Sequence, residues 1–382
     1  MKIVVSGGGT GGHVYPGLAV IRTLVEPKRA VGSLPDLDPA EVLWIGSRGG
    51  LEEEMVRQAS VEFVGLAAGG LRGQSLLTSL RNAARIGGSI SKAKSILTRF
   101  RPDVVFVTGG YACVSVTLAA WRQRLPILIY LPDVVPGLAI RFLSRLATRI
   151  AVTSEESYQY FARDKVVVTG YPVRSDIFEM DKLDARQTLE LDPNEPTLLV
   201  FGGSRGARSI NRALVAGLHE LLDICQIVHI SGRLDSDWVA GYARRLPERF
   251  RSRYHHYPYM VDMPKALVAA DLAVARSGAA TLGEFPAAGL PSILVPYPHS
   301  GQHQQANADY MAENGAAQVL PDPDLDQGLV PAILGLLGNG EALAAMRESA
   351  RAMSRRDAAE AIARQLWLEA RHRGAREAGA KR

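Results

Sequence analysis

Lys2-Ile-Val-Val-Ser-Gly7-Gly8-Gly9-Thr10-Gly11-Gly12-His13 is the stretch of this sequence that decides its fold. Its apolar run, Ile3 to Val5, is typical of a buried parallel strand. Five glycines fall within the six positions 7–12, and after Pro16 the apolar spacing is that of an amphipathic helix. A strand, a glycine turn and a helix together aim backbone N–H groups and a helix N-terminus at an anion. The stretch therefore predicts the first unit of a Rossmann-like domain, with an anion-binding turn.

His13 ends that stretch and is its most reactive side chain. A histidine on a phosphate-facing turn is a candidate general base or phosphate donor. A surface histidine near a helix start is the alternative interpretation. The glycine spacing departs from a strict G-x-G-x-x-G, and no clear acidic residue lies about twenty positions on to hold a ribose. A plain nicotinamide or flavin site stays open as an alternative at this point.

The composition is that of a globular α/β protein large enough for two domains. The chain has 382 residues, of which 47% are hydrophobic and 22% charged. Strand-length apolar runs alternate with helical patterns throughout, which predicts parallel sheets. Cys113 and Cys225 lie far apart in apolar surroundings, which favours a reducing compartment over a disulfide. We expect neither a secretory signal at the N-terminus nor a membrane span at 104–121, because glycines interrupt both runs.

The second half of the chain repeats the opening pattern. Thr197-Leu-Leu-Val-Phe-Gly202-Gly203-Ser204-Arg205-Gly206-Ala207 is again a strand, a glycine turn and a helix start. The repeat predicts two doubly wound, Rossmann-like α/β domains that face each other across a cleft, with ligands at the carboxyl ends of the strands. We place the first domain at 1–170, a linker at 171–196, the second domain at 197–356, and at 357–382 a final helix that packs back on the first domain.

An acidic residue suited to a ribose occurs only in the second half, in Ser277-Gly278-Ala279-Ala280-Thr281-Leu282-Gly283-Glu284. This pattern is a turn that enters a helix. The Glu284 carboxylate can accept hydrogen bonds from both ribose hydroxyls while the helix N-terminus lies under a diphosphate. An ordinary first-turn glutamate is the alternative. Arg174 and Ser204 are further candidate phosphate donors, and the Gln-His-Gln-Gln run at 302–305 suits either sugar hydroxyls or a plain polar helix start.

Three Asp-x-Asp strings could in principle hold a divalent ion on a nucleotide sugar. They are Asp36/Asp38, Asp235/Asp237 and Asp322/Asp324. All three fall in polar or proline-rich loops away from the predicted strand ends, so we predict no metal site. A helix dipole and Arg174 could stabilise a diphosphate leaving group without a metal.

The positive charge of the chain is concentrated in its first half. Residues 1–175 carry a net charge of +8 and the remainder −3. From Phe63 to Pro102 there is no acidic residue, and basic and apolar residues alternate. The predicted membrane face within this segment is Leu76, Leu77, Leu80, Arg81 and Arg85. Such a segment suits an anionic membrane surface; a solvated helix face is the alternative, and nucleic acid is disfavoured because no binding motif accompanies the charge.

The motifs that carry chemistry, taken together and in order, resemble glycosyltransferase family 28. They are Gly8-Gly-Thr-Gly-Gly-His13, Gly109-Gly-Tyr111, Pro172-Val-Arg174, Gly202-Gly-Ser-Arg-Gly-Ala207, Arg276-Ser-Gly-Ala279, the stretch from Glu284 to Pro291, and Gln304-x-x-Asn307-Ala308. The resemblance implies a GT-B fold and an inverting transfer of N-acetylglucosamine. Its donor would be UDP-N-acetylglucosamine, and its acceptor the muramyl 4-hydroxyl of lipid I, undecaprenyl-diphosphate-linked MurNAc-pentapeptide. The product would be lipid II for peptidoglycan synthesis, made by a peripheral protein at the cytoplasmic face of the cell membrane.

The resemblance also implies roles for individual residues. His13 would be the catalytic base, and it would line the acceptor side with Gly110 and Tyr111. Thr10, Gly11 and Gly12 would bind the donor and would also line the acceptor side. The other donor-binding residues would be Arg174, Ser204, Met260 (against the uracil), Ala279, Ala280, Thr281, Leu282, Glu284 and Gln304. No cofactor or divalent ion is implied.

One departure from the family pattern concerns the donor sugar. The family usually has His-Glu-Gln-Asn where this chain has Tyr130-Leu131-Pro132-Asp133. Asp133 therefore takes the place of an asparagine that contacts the donor sugar, and a carboxylate cannot donate hydrogen bonds as an amide does. Asp133 could also share the base role with His13. A different donor sugar or lipid acceptor, a UDP-sugar 2-epimerase, and a non-catalytic nucleotide-sugar-binding protein are the alternatives.

Overall fold

The structure is a computed structural model that describes residues 1–9, 11–26, 39–67, 76–203, 205–299 and 302–380, with the side chains of 76–86 and 375–380 left out. The strands are β1 (Lys2–Gly7), β2 (Glu41–Ser47), β3 (Glu62–Leu66), β4 (Val104–Gly109), β5 (Ile127–Leu131), β6 (Arg149–Val152), β7 (Val166–Val168), β8 (Thr197–Phe201), β9 (Gln226–Ile230), β10 (Tyr254–Tyr257), β11 (Leu272–Ala275), β12 (Ser292–Leu294) and β13 (Ala317–Val319).

Helices separate these strands along the chain. They are α1 (Gly11–Val25), α2 (Leu51–Gln58), α3 (Leu76–Phe100), α4 (Tyr111–Arg122), α5 (Leu138–Leu143), α6 (Lys182–Thr188), α7 (Arg208–Ala216), α8 (Leu218–Leu222), α9 (Ser236–Ala243), α10 (Glu248–Arg251), α11 (Met263–Ala269), α12 (Thr281–Ala288), α13 (His303–Glu313), α14 (Leu325–Leu337), α15 (Gly340–Met353) and α16 (Ala358–Ala380). The residues group into two units, Met1–Val173 with Arg355–Arg382, and Arg174–Ser354.

The first unit is built on a parallel sheet with the strand order β3-β2-β1-β4-β5-β6-β7. Every residue of β4 and β5 is buried, as expected for strands covered by helices on both faces. Chain order reverses between β1 and β4, so a ligand site is expected beyond the carboxyl ends of these two strands. The final helix, α16, packs against α1, β4 and β5 within this unit.

The second unit repeats this plan on a parallel sheet with the order β10-β9-β8-β11-β12-β13. Its core includes Val200, Ile210, Leu214, Val274 and Ile293, each fully buried. The switch in chain order falls between β8 and β11. The two predicted Rossmann-like domains, each doubly wound, are confirmed, and the strand before each glycine turn lies at a switch point.

The start of α1 differs from the prediction. The sequence pattern places this helix after Pro16, whereas the structure begins it at Gly11 and includes Pro16. A proline lacks the N–H that would bond the carbonyl four residues earlier, here that of Gly12. The Tyr171 hydroxyl donates to that carbonyl instead, at 3.4 Å. A side chain more than 150 residues away in sequence thus occupies the carbonyl that Pro16 leaves without a helical donor.

The helix after β5 is also shorter than its basic pattern predicts. Arg141, Arg145 and Arg149 are spaced four residues apart, which predicts that all three lie on one face of this helix. The structure ends α5 at Leu143, and Arg149 is the first residue of β6. The prediction is wrong, because the apolar run that begins at Ile150 pairs as a strand with β5.

A helix needs about 20 predominantly apolar residues to cross the apolar core of a bilayer, and the described helices fall short of this. No single helix among them is long and apolar enough to span a membrane. The segments Asp322–Leu337 and Gly340–Gly374 are long and apolar enough only when taken together, and they are bent by 92° at their junction.

Candidate active site

Two glycine turns meet at the switch point of the first unit. The turn after β1 donates from the Gly8 N–H to the Gly109 carbonyl at 3.0 Å. A Cβ on Gly110, which has φ of 100°, would lie 2.6 Å from the Gly8 carbonyl oxygen. Glycine is required at position 110 both by this close approach and by the positive φ. The backbones of the two turns are therefore in direct contact at the carboxyl edge of the sheet.

His13 lies in the first turn of α1, half-buried, beside these glycines. Its Nδ1 is 3.2 Å from the Gly8 carbonyl oxygen. A carbonyl only accepts, so Nδ1 must carry the proton and the neutral ring has its lone pair on Nε2. A Cβ on Gly109 would lie 3.0 Å from that Nε2, so the ring covers Gly109. The tautomer is the one required of a base that acts through Nε2.

The other first-unit candidates follow neighbouring strands. Gly110 precedes α4, and Tyr111 begins it with 61% of its surface exposed. Asp133 follows β5 and is half-buried. Gly11 and Gly12 begin α1, and Thr10 lies outside the described residues. Because β1, β4 and β5 are adjacent in the sheet, the described candidates share its carboxyl edge.

Tyr130 differs from Asp133 in its surroundings although both belong to the divergent motif. The Tyr130 side chain is fully buried, and its hydroxyl is 2.9 Å from Thr153 Oγ1 and 3.3 Å from the Gly170 carbonyl. Burial raises the pKa of Tyr130 well above its ordinary value. Thr153 Oγ1 lies 2.9 Å from the Pro132 carbonyl and donates to it or, at 3.2 Å, to that of Leu131. Tyr130 therefore supports the loop, and Asp133 is the member of the motif placed at the edge.

The turn after β8 forms the corresponding edge of the second unit. Gly203 and Gly206 have φ of 85° and 80°, and a Cβ on Gly206 would lie 2.2 Å from the Ser231 carbonyl oxygen. Ser204, between them, lies outside the described residues. The turn leads directly into α7, which has no side-chain N-cap. Its first N–H groups therefore have no capping side chain within the described part of the chain, as an anion site requires.

A buried polar network supports this turn from below. His229 Nε2 lies 2.9 Å from Asn211 Oδ1, and Nδ1 lies 2.6 Å from the Tyr254 hydroxyl. Asn211 Nδ2 donates to the Ser231 carbonyl at 2.9 Å, so its Oδ1 accepts from His229. His229 is fully buried, and desolvation lowers its pKa from 6.5 to about 3. The imidazole is consequently neutral in the folded protein.

The turn after β11 is fixed to the start of α13. Ser277 Oγ donates to the Gln304 carbonyl at 2.7 Å, and Asn307 Nδ2 donates to the Ser277 carbonyl at 3.1 Å. The Tyr297 N–H donates to Gln304 Oε1 at 2.9 Å. The side-chain oxygen of Gln304 is thus engaged, and its NH2 group is the end that can donate to a ligand.

Arg276 anchors the same turn from the other side. Its guanidinium donates to the Val295 carbonyl at 3.2 Å and to Ser209 Oγ at 2.8 Å, and it pairs with Asp322. Tyr297 packs over its face with 5.3 Å to the ring centroid. Val295 and Tyr297 both lie between β12 and α13, so Arg276 holds this connection in place.

Glu284 lies in the first turn of α12, whose first residue, Thr281, donates from Oγ1 to the Gly278 carbonyl at 2.7 Å. Burial raises the pKa of the Glu284 carboxyl from 4.5 to about 7, although the charge of Arg174 lowers it. Arg174 Nε lies 3.1 Å from Asp176 Oδ2 in the segment Ser175–Phe178, which packs against α12. A carboxyl with this pKa gains or loses its charge near neutrality, in step with what it binds.

The remaining donor candidates lie at the same edge. Ala279 and Leu282 are buried near Glu284 in sequence, Ala280 immediately precedes α12, and Met260 follows β10.

Aspartates in the described Asp-x-Asp strings contact other protein groups. The Asp235 carboxylate accepts from Arg208 Nε at 2.8 Å and from Asn211 Nδ2 at 2.9 Å. Asp322 accepts from Ser209 Oγ at 2.8 Å. Two of the three Asp-x-Asp strings therefore have aspartates engaged by protein groups, and Asp36/Asp38 lies outside the described residues.

Models of two domains of one family match most of the chain. The N-terminal domain model of glycosyltransferase family 28 matches residues 3–152, and the C-terminal domain model of that family matches residues 197–362. The UDP-N-acetylglucosamine–N-acetylmuramyl-(pentapeptide) pyrophosphoryl-undecaprenol N-acetylglucosamine transferase of Roseiflexus sp. is 41% identical, over 94% of this chain and 92% of its own length. The chain belongs to the MurG group of glycosyltransferase family 28. Members of this group are hexosyltransferases.

Solved structures agree with this family on the fold. The crystal structure of Acinetobacter baumannii MurG matches with a TM-score of 0.74 at 24% identity, covering 96% of this chain and 99% of the other. The UDP-GlcNAc 2-epimerase of Neisseria meningitidis, bound to UDP-GlcNAc, matches with a TM-score of 0.67 at 14% identity, over 96% and 100% of the two chains. Both identities are low, so these likenesses establish the shared GT-B fold of the family 28 chain and nothing more specific.

Several features of the family 28 site lie beyond the sequence prediction. The predicted membrane-facing residues, 76 to 85, fall on α3, but their side chains are outside the described set. No sequence pattern predicts Asn307 as a support of the Ser277 turn, and none predicts Glu52 as part of the site. Glu52 is 1% exposed and accepts from the Gly9 N–H at 3.2 Å. Two glycines that precede it in sequence, Gly46 and Gly50, are the signal that could have drawn attention to it.

Proposed function

We propose that this protein transfers N-acetylglucosamine from UDP-N-acetylglucosamine to the muramyl 4-hydroxyl of lipid I, with inversion, to give lipid II. The observation that carries the proposal is the near full-length similarity to a transferase named for this reaction, on a chain with a glycine turn at each switch point. Two phosphate-bearing substrates need two such turns.

The second unit supplies the groups that suit the donor. Glu284 would accept hydrogen bonds from the ribose hydroxyls, and the Gln304 NH2 group would donate to the sugar. The N-terminus of α7, with Ser204 in the preceding turn, would lie at the diphosphate. Arg174 would carry part of the charge that develops on the leaving diphosphate. Met260, Ala279, Ala280, Thr281 and Leu282 would complete the pocket, with Met260 against the uracil.

The first unit would present the acceptor. His13 Nε2 would take the proton of the muramyl hydroxyl as that oxygen attacks the anomeric carbon and the bond to UDP breaks. The Gly8 carbonyl supports this role, because it fixes the proton on Nδ1. General-base assistance of this kind is typically worth about 10²–10⁴-fold. Gly110, Tyr111, Gly11, Gly12 and Thr10 would line the acceptor, and Asp133 would contact the donor sugar or share the base role.

We further propose that no divalent ion takes part. Arg174 and the helix N-termini of the second unit would neutralise the diphosphate in its place. Turnover should then persist in the presence of excess EDTA. Loss of turnover with EDTA, restored by Mg²⁺ or Mn²⁺, would show that an ion is needed.

Peripheral attachment to the inner face of the cell membrane is part of the same proposal. The acceptor of the named relatives carries an undecaprenyl chain, which remains in a bilayer. The excess of basic residues in the first half of the chain supports a contact with anionic lipid. The residues proposed for it are Leu76, Leu77, Leu80, Arg81 and Arg85.

A UDP-sugar 2-epimerase is the rival activity that the shared fold leaves open, since the Neisseria meningitidis epimerase has the same fold. Purified protein should be incubated with UDP-N-acetylglucosamine, with and without lipid I, and the products separated. We expect UDP and lipid II to form only when lipid I is present. Conversion of UDP-N-acetylglucosamine alone to its 2-epimer would support the rival activity instead. Replacing the donor by UDP-glucose and UDP-N-acetylgalactosamine tests the sugar that Asp133 leaves open.

A further inference from the structure

Glu52 places a buried carboxylate directly beneath the first glycine turn. It is the second residue of α2 and is 1% exposed. Its Oε2 accepts from the Gly9 N–H at 3.2 Å, and its Oε1 accepts from the Ser47 N–H at 2.8 Å. Within the described part of the chain, no Lys or Arg forms an ion pair with it. Backbone N–H groups and the N-terminus of α2 are what stabilise its charge.

The surrounding backbone is shaped around this side chain. A Cβ on Gly8 would lie 2.3 Å from Glu52 Oε1, and one on Gly50 would lie 2.4 Å from Oε2. A Cβ on Gly46 would lie 3.0 Å from Glu52 Cγ. Three glycines, one in the first turn and two around the connection from β2 to α2, therefore leave the space that the carboxylate fills. Burying an ion without a cationic partner is costly, and an uncharged residue would fill the same space without that cost.

One peptide group joins this carboxylate to His13. The Gly9 N–H that donates to Glu52 and the Gly8 carbonyl that accepts from His13 belong to the same Gly8–Gly9 peptide unit. A hydrogen bond from the N–H of a peptide to a carboxylate pulls electron density towards its carbonyl oxygen, which strengthens that oxygen as an acceptor. The chain of contacts thus runs from Glu52 Oε2 through one amide to His13 Nδ1.

We propose that Glu52 is a positioning residue for His13, acting through the Gly8–Gly9 peptide. Its charge favours the ring tautomer with the proton on Nδ1 and stabilises the imidazolium that forms when Nε2 accepts a proton. The consequence for catalysis rests on the proposed function, in which His13 is the base. The effect on the tautomer does not, and it can be measured without substrate.

The test combines ¹⁵N spectra of histidine-labelled protein with kinetics. At alkaline pH the protonated and bare ring nitrogens of a neutral histidine resonate far apart, and comparison with His13→Gln assigns the His13 signals. We expect wild-type His13 to carry its proton on Nδ1, and Glu52→Gln to shift it towards the other tautomer. An amide at this position accepts from only one of the two N–H groups and carries no charge. A wild-type ring protonated on Nε2 would overturn the proposal without any variant.

Glu53→Gln is the matched control. Glu53 is the next residue of α2 and also accepts from a backbone N–H, that of Gly49, at 3.0 Å, but it does not touch the turn. We expect it to leave the His13 signals and turnover unchanged. Glu52→Gln should lower kcat by about tenfold or more, short of the full loss of a general base, and leave the KM for the donor unchanged. Unchanged His13 signals in Glu52→Gln would overturn the coupling. Changed signals with wild-type kcat would instead remove His13 from the base role.

Discussion

The charge of Arg174 and the burial of Glu284 have opposite effects on the Glu284 carboxyl. The arginine charge lowers its pKa, but burial outweighs that effect and raises the pKa from 4.5 to about 7. The charge of this carboxyl therefore changes within the physiological pH range. If Glu284 accepts hydrogen bonds from ribose hydroxyls as an anion, donor binding depends on pH.

UDP should consequently bind more tightly as pH rises from 6 to 8, because more of the Glu284 population is ionised before binding. Titration calorimetry across this range measures the trend. In Glu284→Gln the affinity should be lower and its pH dependence should be lost. A wild-type affinity that is constant from pH 6 to pH 8 would contradict the role of an ionised Glu284.

Glu284→Gln should stabilise the folded protein at pH 8 while it weakens donor binding. A carboxyl whose folded pKa lies above its unfolded value is bound to a proton more strongly in the folded state, so its contribution to stability is lost as pH rises from 4.5 through 7. The ionised group costs up to about 3 kcal/mol at pH 8, and an amide avoids that cost. Thermal unfolding at pH 8 tests this, with pH 4.5 as the condition where the two proteins should converge.

His229 should make the second unit less stable in acid. Its pKa falls from 6.5 to about 3 on folding. Between these two values, the unfolded chain binds a proton at His229 and the folded chain does not. Stability should then decrease by about 1.4 kcal/mol per pH unit from this group as pH falls from 6.5 towards 3. Urea unfolding of wild type and His229→Gln at pH 7 and pH 5 isolates the contribution. The variant should be less stable at pH 7 but less sensitive to pH.

Asp271 holds a cluster of cations in the second unit, and Asp271→Asn should be strongly destabilising. Its carboxylate pairs with Lys182 and accepts from Arg186 at 2.6 Å and from Arg347 at 3.3 Å. Removing the anion leaves partly buried cations unbalanced, at a cost of about 3–5 kcal/mol. Asp262→Asn is the control, since this carboxylate is 44% exposed and its pair with Lys265 is worth about 0–1 kcal/mol. Equal losses in the two variants, measured by urea unfolding, would refute the assignment.

The doubly wound sheets follow from the sequence because buried parallel strands are continuous apolar runs, and because glycine turns follow β1, β4 and β8. The start of α1 does not follow, since Pro16 reads as a helix start until Tyr171 is known to occupy the Gly12 carbonyl. Tertiary partners of this kind leave no local pattern. The role of Glu52 cannot be predicted for the same reason. Its neighbours in sequence form an ordinary acidic helix start, and only the fold brings Gly9 into contact with it.

Charge reversal at Arg81 and Arg85 should weaken attachment to membranes. Both residues lie on α3 in the basic, acid-free segment. Each Lys or Arg near an anionic surface is worth about 1 kcal/mol, so the double change to Glu should reduce binding to phosphatidylglycerol vesicles by tenfold or more. Arg244→Glu with Arg245→Glu, two exposed arginines of the second unit, is the matched control. Vesicle sedimentation that is equal for both doubles would reject the α3 segment, and UDP affinity should be unchanged in each.

The central claim is that the second unit binds the donor while the first unit supplies the catalytic base. Measuring donor affinity together with turnover tests this claim most directly. UDP-N-acetylglucosamine binding by calorimetry and transfer to lipid I should be measured for His13→Gln and Glu284→Gln under the same conditions. We predict that His13→Gln keeps wild-type donor affinity and loses about 10²–10⁴-fold in kcat, while Glu284→Gln loses donor affinity. Wild-type turnover in His13→Gln, or loss of donor binding in that variant alone, would contradict the account.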